Sequence, residues 1–208
     1  MTYESKKRVL DLTVASFLLI LFSPFWIIVP ILIIIDSGRP IFFSHRRVGK
    51  GGKEFDLFKF RSMVQNADEI LHRKNHELLD KFKSNDWKIA AKDDPRITRL
   101  GRFLRAFTID EFPQLLNVFR GEMSIVGPRA YVKKELKEQT EKYPETKKYV
   151  KDILSVKPGI TGPWQTSGRN EIPFKQRASI DSNYAKNRSI RQDLAILLKT
   201  PKAMLSKW

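Results

Sequence analysis

The sequence predicts an α/β chain: a compact, mostly helical domain with a small β-hairpin, anchored by an N-terminal re-entrant membrane helix. Three observations predict it. A run without charge fills residues 12–35 and is interrupted by Ser23–Pro24. Two strand-like stretches flank the glycine-rich turn Gly49–Gly52. After residue 64 most of the chain carries helical patterning. At 208 residues the chain is long enough for one domain with a real core. Its 39 Lys+Arg against 23 Asp+Glu leave a formal charge of +16, which points to polyanionic partners such as phosphorylated substrates, anionic lipid or nucleic acid. The absence of cysteine excludes disulfides and thiolate metal sites.

The segment "LTVASFLLILFSPFWIIVPILIII" decides the membrane question. As one helix it would reach ~36 Å, enough for a hydrocarbon core of ~30 Å. It is too long for a cleavable signal peptide, and no small-residue cleavage site follows. It is apolar all round, unlike a core helix with a polar face. Pro24 removes a backbone donor, and Ser23 offers a hydroxyl to a nearby carbonyl, so the pair marks a bend. Residues 1–38 carry as many acids as bases, so the whole positive excess lies in residues 39–208. Basic residues flank both ends of the run, and a simple span would put one flank outside. A re-entrant hairpin keeps both on the cytoplasmic face. Residues 1–38 are therefore read as a helix-break-helix membrane segment and 39–208 as the cytoplasmic domain.

The elements of that domain follow in order. Residues 40–63 read as two strands around a turn; "GKGG" lacks Walker spacing, so it is not a nucleotide loop. Residues 64–92 have no Gly or Pro and read as charged helix. His72 and His76 lie four apart there, without a third ligand nearby, and read as a solvated face and not a metal site. Ile97, Leu100, Leu104 and Phe107 form an apolar stripe at helical spacing, while Arg96, Arg99, Arg102 and Arg105 recur on another part of the surface. "FPQLLNVFRG" reads as a short apolar helix closed by Gly121, and "EMSIVGPRAY" as an extended stretch and turn. Residues 132–152 read as one Lys/Glu-rich helix. Residues 156–170 read as a long ordered loop, a common home of function. The tail from Arg191 mixes apolar and basic residues and suits either a membrane surface or packing on the domain.

Asp110 and Glu111, in "FTIDEFPQ", are the acids that need explaining. Proline is tolerated only in a first helical turn, so Pro113 favours Asp110 as the N-cap over Thr108, whose capping box with Glu111 would put Pro113 beyond the free donors. Capping is worth ~1 kcal/mol and explains one acid but not the second. Catalysis explains both. A carboxylate can attack phosphorus and form an acyl phosphate, and a second can hold Mg²⁺, which bridges phosphates. Nearby arginines would hold a phosphorylated substrate and keep the carboxylates ionised. On these residues alone both readings stay open.

Four stretches carry a resemblance that decides between them. They are the apolar run with Ser23–Pro24, "FKFRSM" (58–63), "DPRITRLGRFLRAFTIDEFPQLLNVFRGEMSIVGPR" (94–129) and "KPGITGPWQTSGR" (157–169). Together they resemble the monotopic phosphoglycosyl transferases, or bacterial sugar transferases, over essentially the whole chain. The resemblance implies transfer of a sugar-1-phosphate from a UDP-sugar to undecaprenyl phosphate. UMP is released and Mg²⁺ is required, at the cytoplasmic face of the bacterial inner membrane. It implies that Asp110 is the nucleophile carrying a covalent phosphosugar, and that Glu111 binds Mg²⁺. It implies that Arg105 and Arg169 contact phosphate, with Lys59 and Arg61 as walls of the same site. The family fold is a compact α/β domain on a re-entrant membrane helix with interfacial amphipathic helices. Phe112, Ala130 and Pro163 depart from the residues usual at their positions; none touches a proposed charge, and their expected bearing is on pocket shape and sugar choice.

Two rivals explain less. A nucleic-acid-binding module accounts for the charge but not for the apolar run or the acidic pair, and no recognition motif is present. A basic membrane-anchored interaction protein without catalysis needs neither metal nor Asp110. The expected partners are thus a UDP-sugar, undecaprenyl phosphate and the bilayer, with no nucleic acid; a homo-oligomer stays open, as does the identity of the sugar.

Overall fold

The structure, a computed structural model, describes the chain except residues 1, 75, 86, 88, 91, 92, 169–171 and 205–208. It is mostly helical with two small sheets. In chain order the elements are α1 (Tyr3–Leu21), α2 (Phe25–Ser37), β1 (Phe42–Val48), β2 (Glu54–Phe60), α3 (Ala67–Glu69), α4 (His76–Ser84), α5 (Arg99–Ala106), α6 (Gln114–Phe119), β3 (Ser124–Val126), α7 (Lys133–Lys142), α8 (Lys147–Ile153), β4 (Gly159–Thr161), α9 (Pro163–Thr166), α10 (Phe174–Asn187) and α11 (Ile190–Met204). β1 and β2 pair as the expected hairpin, and β3 pairs with β4 in parallel. The chain forms two compact units: Met1–Leu21, Ser44–Phe58 and Pro113–Ala203; and Phe22–Phe43, Lys59–Phe112 and Met204–Trp208.

The first unit is built around the β3–β4 pair. Ser124 lies opposite Gly159 and Val126 opposite Thr161. This pairing joins two motif stretches, "SIVGPR" and "KPGITGPW". Arg129 completes the join: its backbone N–H donates to Asp181 Oδ2 at 3.0 Å and its guanidinium lies 5.2 Å from the Trp164 ring centre. One core gathers Phe55, Leu57, Leu115, Val118, Met123, Ile125 and Ala15, and a second gathers Val48, Tyr131, Leu136, Ile153, Phe174 and Ala178. The helix expected over 132–152 is two helices. Pro144 cannot donate to the ladder, so the chain breaks into a 3₁₀ turn over Pro144–Thr146 before α8. The stretch read as a long loop holds β4 and α9 instead; its short strand gave too few residues to show a period. Gly121 closes α6 as expected, at φ +77°.

α1 belongs to this first unit for a reason the apolar run conceals. Before that run, Lys7 and Asp11 are buried and joined at 3.0 Å across one helical turn. Asp11 Oδ1 also accepts from Ser124 Oγ at 2.8 Å and from the Ile125 N–H at 3.0 Å. Lys7 Nζ lies 3.5 Å from Asp193, which accepts from Tyr184 at 2.6 Å and from Tyr3 at 3.0 Å. Arg8 donates to the carbonyls of Val118 and Phe119, at 2.6 and 2.9 Å, at the C-terminal end of α6, where the Val118 carbonyl also accepts from the Gly121 N–H at 2.9 Å. The start of α1 is thus a core element, which corrects its reading as a mere flank.

In the second unit α2 buries Val29 and Ile33, one turn apart, against Phe60, Leu104 and Ile109. Ile27, Ile28, Ile31, Leu32, Ile34 and Ile35 remain exposed. Between α1 and α2 the helix stops at Phe22–Pro24 and bends by 62°. No single described helix is long and apolar enough to cross a membrane; the bent pair is, by length and composition together. The break falls at Ser23–Pro24 as expected, but its cause is narrower. Among the described residues the Ser23 hydroxyl makes no hydrogen bond, so the bend rests on proline, with turn bonds such as Trp26 N–H to the Ser23 carbonyl at 3.1 Å. Phe112 packs here, its ring 4.9 Å from Phe22 and 5.8 Å from Phe25. That departure packs against the helix break.

Among the described residues of 64–92, helix is found at Ala67–Glu69 and His76–Ser84, with a wider π turn at Ile70–Lys74. His72 and His76 are exposed, and no group of three potential ligands occurs among the described residues. α5 begins at Thr98, whose hydroxyl accepts from the Gly101 N–H at 2.9 Å. Gly101 is required: a Cβ there would run into the Ser62 carbonyl. Only Leu100 and Leu104 of the predicted stripe pack as helical residues. Ile97 lies in a bridge to Met63, and Phe107 stays 44 % exposed.

Candidate active site

Four of the sequence-predicted residues meet in the second unit. Lys59 lies near the end of β2, Arg105 in the last turn of α5, and Asp110 and Glu111 in a 3₁₀ turn, Ile109–Glu111. Lys59 Nζ donates to Glu111 Oε1 at 2.6 Å and lies 3.7 Å from Asp110 Oδ2. One ammonium therefore serves both carboxylates. Asp110 is 1 % exposed, and its Oδ1 has no hydrogen-bond partner among the described residues. Burial pushes its acidity weaker; Lys59 pulls the other way, Glu111 adds to the burial effect, and Arg105 opposes it. The net result lies above the ordinary carboxylate range. A desolvated carboxylate with one oxygen uncommitted is a better nucleophile than a hydrated one, provided a cation keeps it ionised.

The chain reaches this geometry through a strained turn. α5 ends at Phe107, and Thr108 takes the left-handed conformation, φ +59° and ψ +21°. Its N–H donates to the Arg105 carbonyl at 3.1 Å, and its carbonyl accepts from the Glu111 N–H at 3.2 Å. Thr108 is thus the joint between the arginine and the acids. Glycine normally fills such a position after a helix, and a β-branched residue there costs ~1–2 kcal/mol. This corrects the expected capping geometry. Asp110 is not the N-cap of α6; Pro113 itself stands there, and Asp110 lies inside the preceding 3₁₀ turn. No side-chain cap bond forms from Thr108 either. Helix capping therefore leaves both acids unexplained.

The remaining predicted cations fare differently. Arg61 is buried and donates through one terminal nitrogen to the Ser37 carbonyl, the Ser37 hydroxyl and the Gly38 carbonyl. It closes the C-terminus of α2, where carbonyls lack helical partners. Arg169 lies outside the described residues. Of the arginines spaced three apart, Arg96 is not a surface charge. It grips Asp94 with two bonds of 2.8 Å, so Asp94, although burial pushes it up, is held below its usual range. Sequence reasoning missed this clamp and Thr108. The first was visible as acid and base two residues apart. The second had no signal, because a threonine in a left-handed turn breaks the rule that would have found it.

The comparisons with known proteins agree with one another. The family model described as bacterial sugar transferase matches residues 2–207. The chain is 41 % identical over 209 residues to the exopolysaccharide production protein ExoY of Sinorhizobium fredii, covering 97 % of this chain and 86 % of that protein. It is 43 % identical over 205 residues to the undecaprenyl-phosphate galactose phosphotransferase of Salmonella typhimurium, covering 97 % of this chain but only 40 % of that longer protein. It is 35 % identical over 210 residues to the UDP-glucose:undecaprenyl-phosphate glucose-1-phosphate transferase of Caulobacter vibrioides, covering 98 % of this chain and 71 % of that protein.

Proposed function

The chain belongs to the bacterial sugar transferase family, and on that premise we propose that it moves a sugar-1-phosphate from a UDP-sugar to undecaprenyl phosphate, an opening step of exopolysaccharide or capsule synthesis. The observation that carries the proposal is the buried Asp110 with a free oxygen beside Lys59, Glu111 and Arg105. In the first half-reaction an Asp110 oxygen bonds to the phosphorus that bears the sugar. The bond from that phosphorus to the oxygen of UMP breaks, and UMP leaves with the electron pair. In the second, a phosphate oxygen of undecaprenyl phosphate attacks the same phosphorus, and the Asp110 carboxylate is released. Lys59 and Arg105 offset the negative charge that two approaching anions bring together.

The donor set fits Mg²⁺. This cation takes oxygen ligands, commonly one or two carboxylates together with substrate phosphates. Glu111 would be such a ligand, leaving the uncommitted oxygen of Asp110 free for phosphorus. When bound, Mg²⁺ would neutralise phosphate charge beside the nucleophile. Glu111→Gln removes the anionic ligand. The rate is expected to fall by roughly one to two orders of magnitude, with the Mg²⁺ titration shifted to higher concentration. An unchanged titration at a normal rate removes Glu111 from that role.

The membrane reading rests on α2, whose exposed isoleucines surround a two-residue buried seam. Exposed apolar surface of this extent marks contact with lipid or protein. We place the substrate-binding face in the cytoplasm, where nucleotide sugars are made, with α1 and α2 entering and leaving on one side. Since the chain has no cysteine, single Cys probes at Lys6 and Arg39 report topology cleanly. Both sites should resist a reagent confined to the outside. Replacing Ser23 and Pro24 with leucine should straighten the segment and expose one of them. Outside labelling at position 6 in the unaltered segment means that it spans.

A further inference from the structure

We propose that Thr108 is a substrate-binding residue whose hydroxyl donates a hydrogen bond to a non-bridging phosphoryl oxygen of the phosphosugar at Asp110. The inference rests on the phosphoglycosyl transfer proposed above and adds a residue to it. Two observations on this one side chain carry it. The first is conformational. Thr108 is held at φ +59°, where glycine suits the turn and a β-branched residue is strained. The second is chemical. Its Oγ1 is shut off from solvent and has no hydrogen-bond partner among the described residues. A buried hydroxyl without a partner destabilises the fold, as does a branched side chain in this region. Glycine would remove both penalties and keep the backbone turn.

The position supplies the partner. Thr108 is hydrogen-bonded through its backbone to Arg105 on one side and Glu111 on the other, at 3.1 and 3.2 Å. It precedes Asp110 by two residues, and Asp110 Oδ1 is likewise buried without a partner. Two unpaired oxygens therefore stand in the same turn. One is a lone-pair donor suited to attack phosphorus. The other is a hydroxyl, which can donate to the oxygens of that phosphorus as their charge grows. Lys59 is engaged with Glu111 in the free protein, so a neutral donor that needs no counter-ion complements it. The hydroxyl keeps its proton throughout; the interaction is a hydrogen bond, strongest when the transferring group is most negative.

Three variants test it. Thr108→Val keeps the branched shape and deletes the donor. Thr108→Ser keeps the donor and deletes the methyl. Thr108→Gly keeps only the turn. UMP release from a UDP-sugar in the presence of Mg²⁺ and undecaprenyl phosphate is measured beside thermal melts. The expected result is a loss of roughly a hundredfold in kcat for Val with little change in KM, and serine within about threefold of the unaltered chain. Glycine should lose rate as valine does while melting about 2–4 °C higher. That opposite movement of stability and rate is something a merely structural role would not produce. If valine fails to fold, glycine carries the test alone. Valine or glycine turning over normally overturns the inference, and so does a serine variant as slow as valine. No UMP release by the unaltered chain with any UDP-sugar overturns the proposed function itself, and this inference with it.

Discussion

Asp110→Asn is expected to reduce transfer by at least about three orders of magnitude while leaving the protein folded. Only a carboxylate can form the acyl phosphate; the amide has no comparable lone pair to give phosphorus. Stability should not suffer, and the sign follows from the surroundings. Asp110 is almost fully buried, and burial is the largest influence on its ionisation, pushing its pKa above the usual range. The site therefore penalises the charge that Asn lacks. Against this, Lys59 loses one of its two acidic neighbours but keeps the shorter contact, 2.6 Å to Glu111. Steady-state UMP release beside a thermal melt checks both halves. Near-normal turnover by the Asn variant would remove Asp110 as nucleophile, and collapse of the melt would show that its charge is structural.

The largest effect on stability is expected at Asp11→Ala. The carboxylate is 3 % exposed and accepts from Lys7, Ser124 and the Ile125 backbone. Alanine leaves all three donors short of a partner and, among the described residues, leaves the buried ammonium of Lys7 only Asp193, at 3.5 Å. Breaking a buried ion pair from one side costs about 3–5 kcal/mol, and for a chain of this size that is on the order of 10 °C in Tm. Asp11→Asn should cost less, because its side-chain oxygen can still accept from Ser124 and Ile125. Denaturant unfolding in detergent orders the three proteins. An alanine variant within about 1 kcal/mol of the unaltered chain would mean that the network does not hold α1 to β3.

What was legible in the sequence follows from how local each signal is. The hairpin was readable because its two strand-like stretches and the glycines between residues 49 and 52 are adjacent in the chain. The break at Ser23–Pro24 was readable because proline acts on its own backbone. The pairing of β3 with β4 was not: each strand has three residues, and they are separated by α7 and α8. Pro144 was a local signal passed over in favour of the Lys/Glu pattern around it. At the site, Asp110, Glu111, Arg105 and Lys59 were named from composition and resemblance, and the fold brings them together. Arg61 shows the limit of that approach. It was expected as a wall of the same site, and the carbonyls it bonds belong to residues 37 and 38, which no spacing rule connects to it. Asp11 and Asp193 were hidden for the same reason, since Ile125 lies far along the chain from Asp11 and Lys7 lies near the opposite end from Asp193.

The central claim is that the sugar phosphate passes through a covalent bond to Asp110. Intact-mass measurement after mixing the protein with a UDP-sugar and Mg²⁺, without undecaprenyl phosphate, tests it most directly. The account predicts one added phosphosugar on the unaltered chain, none on Asp110→Asn, and loss of the adduct when undecaprenyl phosphate is added. UMP release that appears only when both substrates are present, with no adduct at any time, would contradict it and show direct transfer between them.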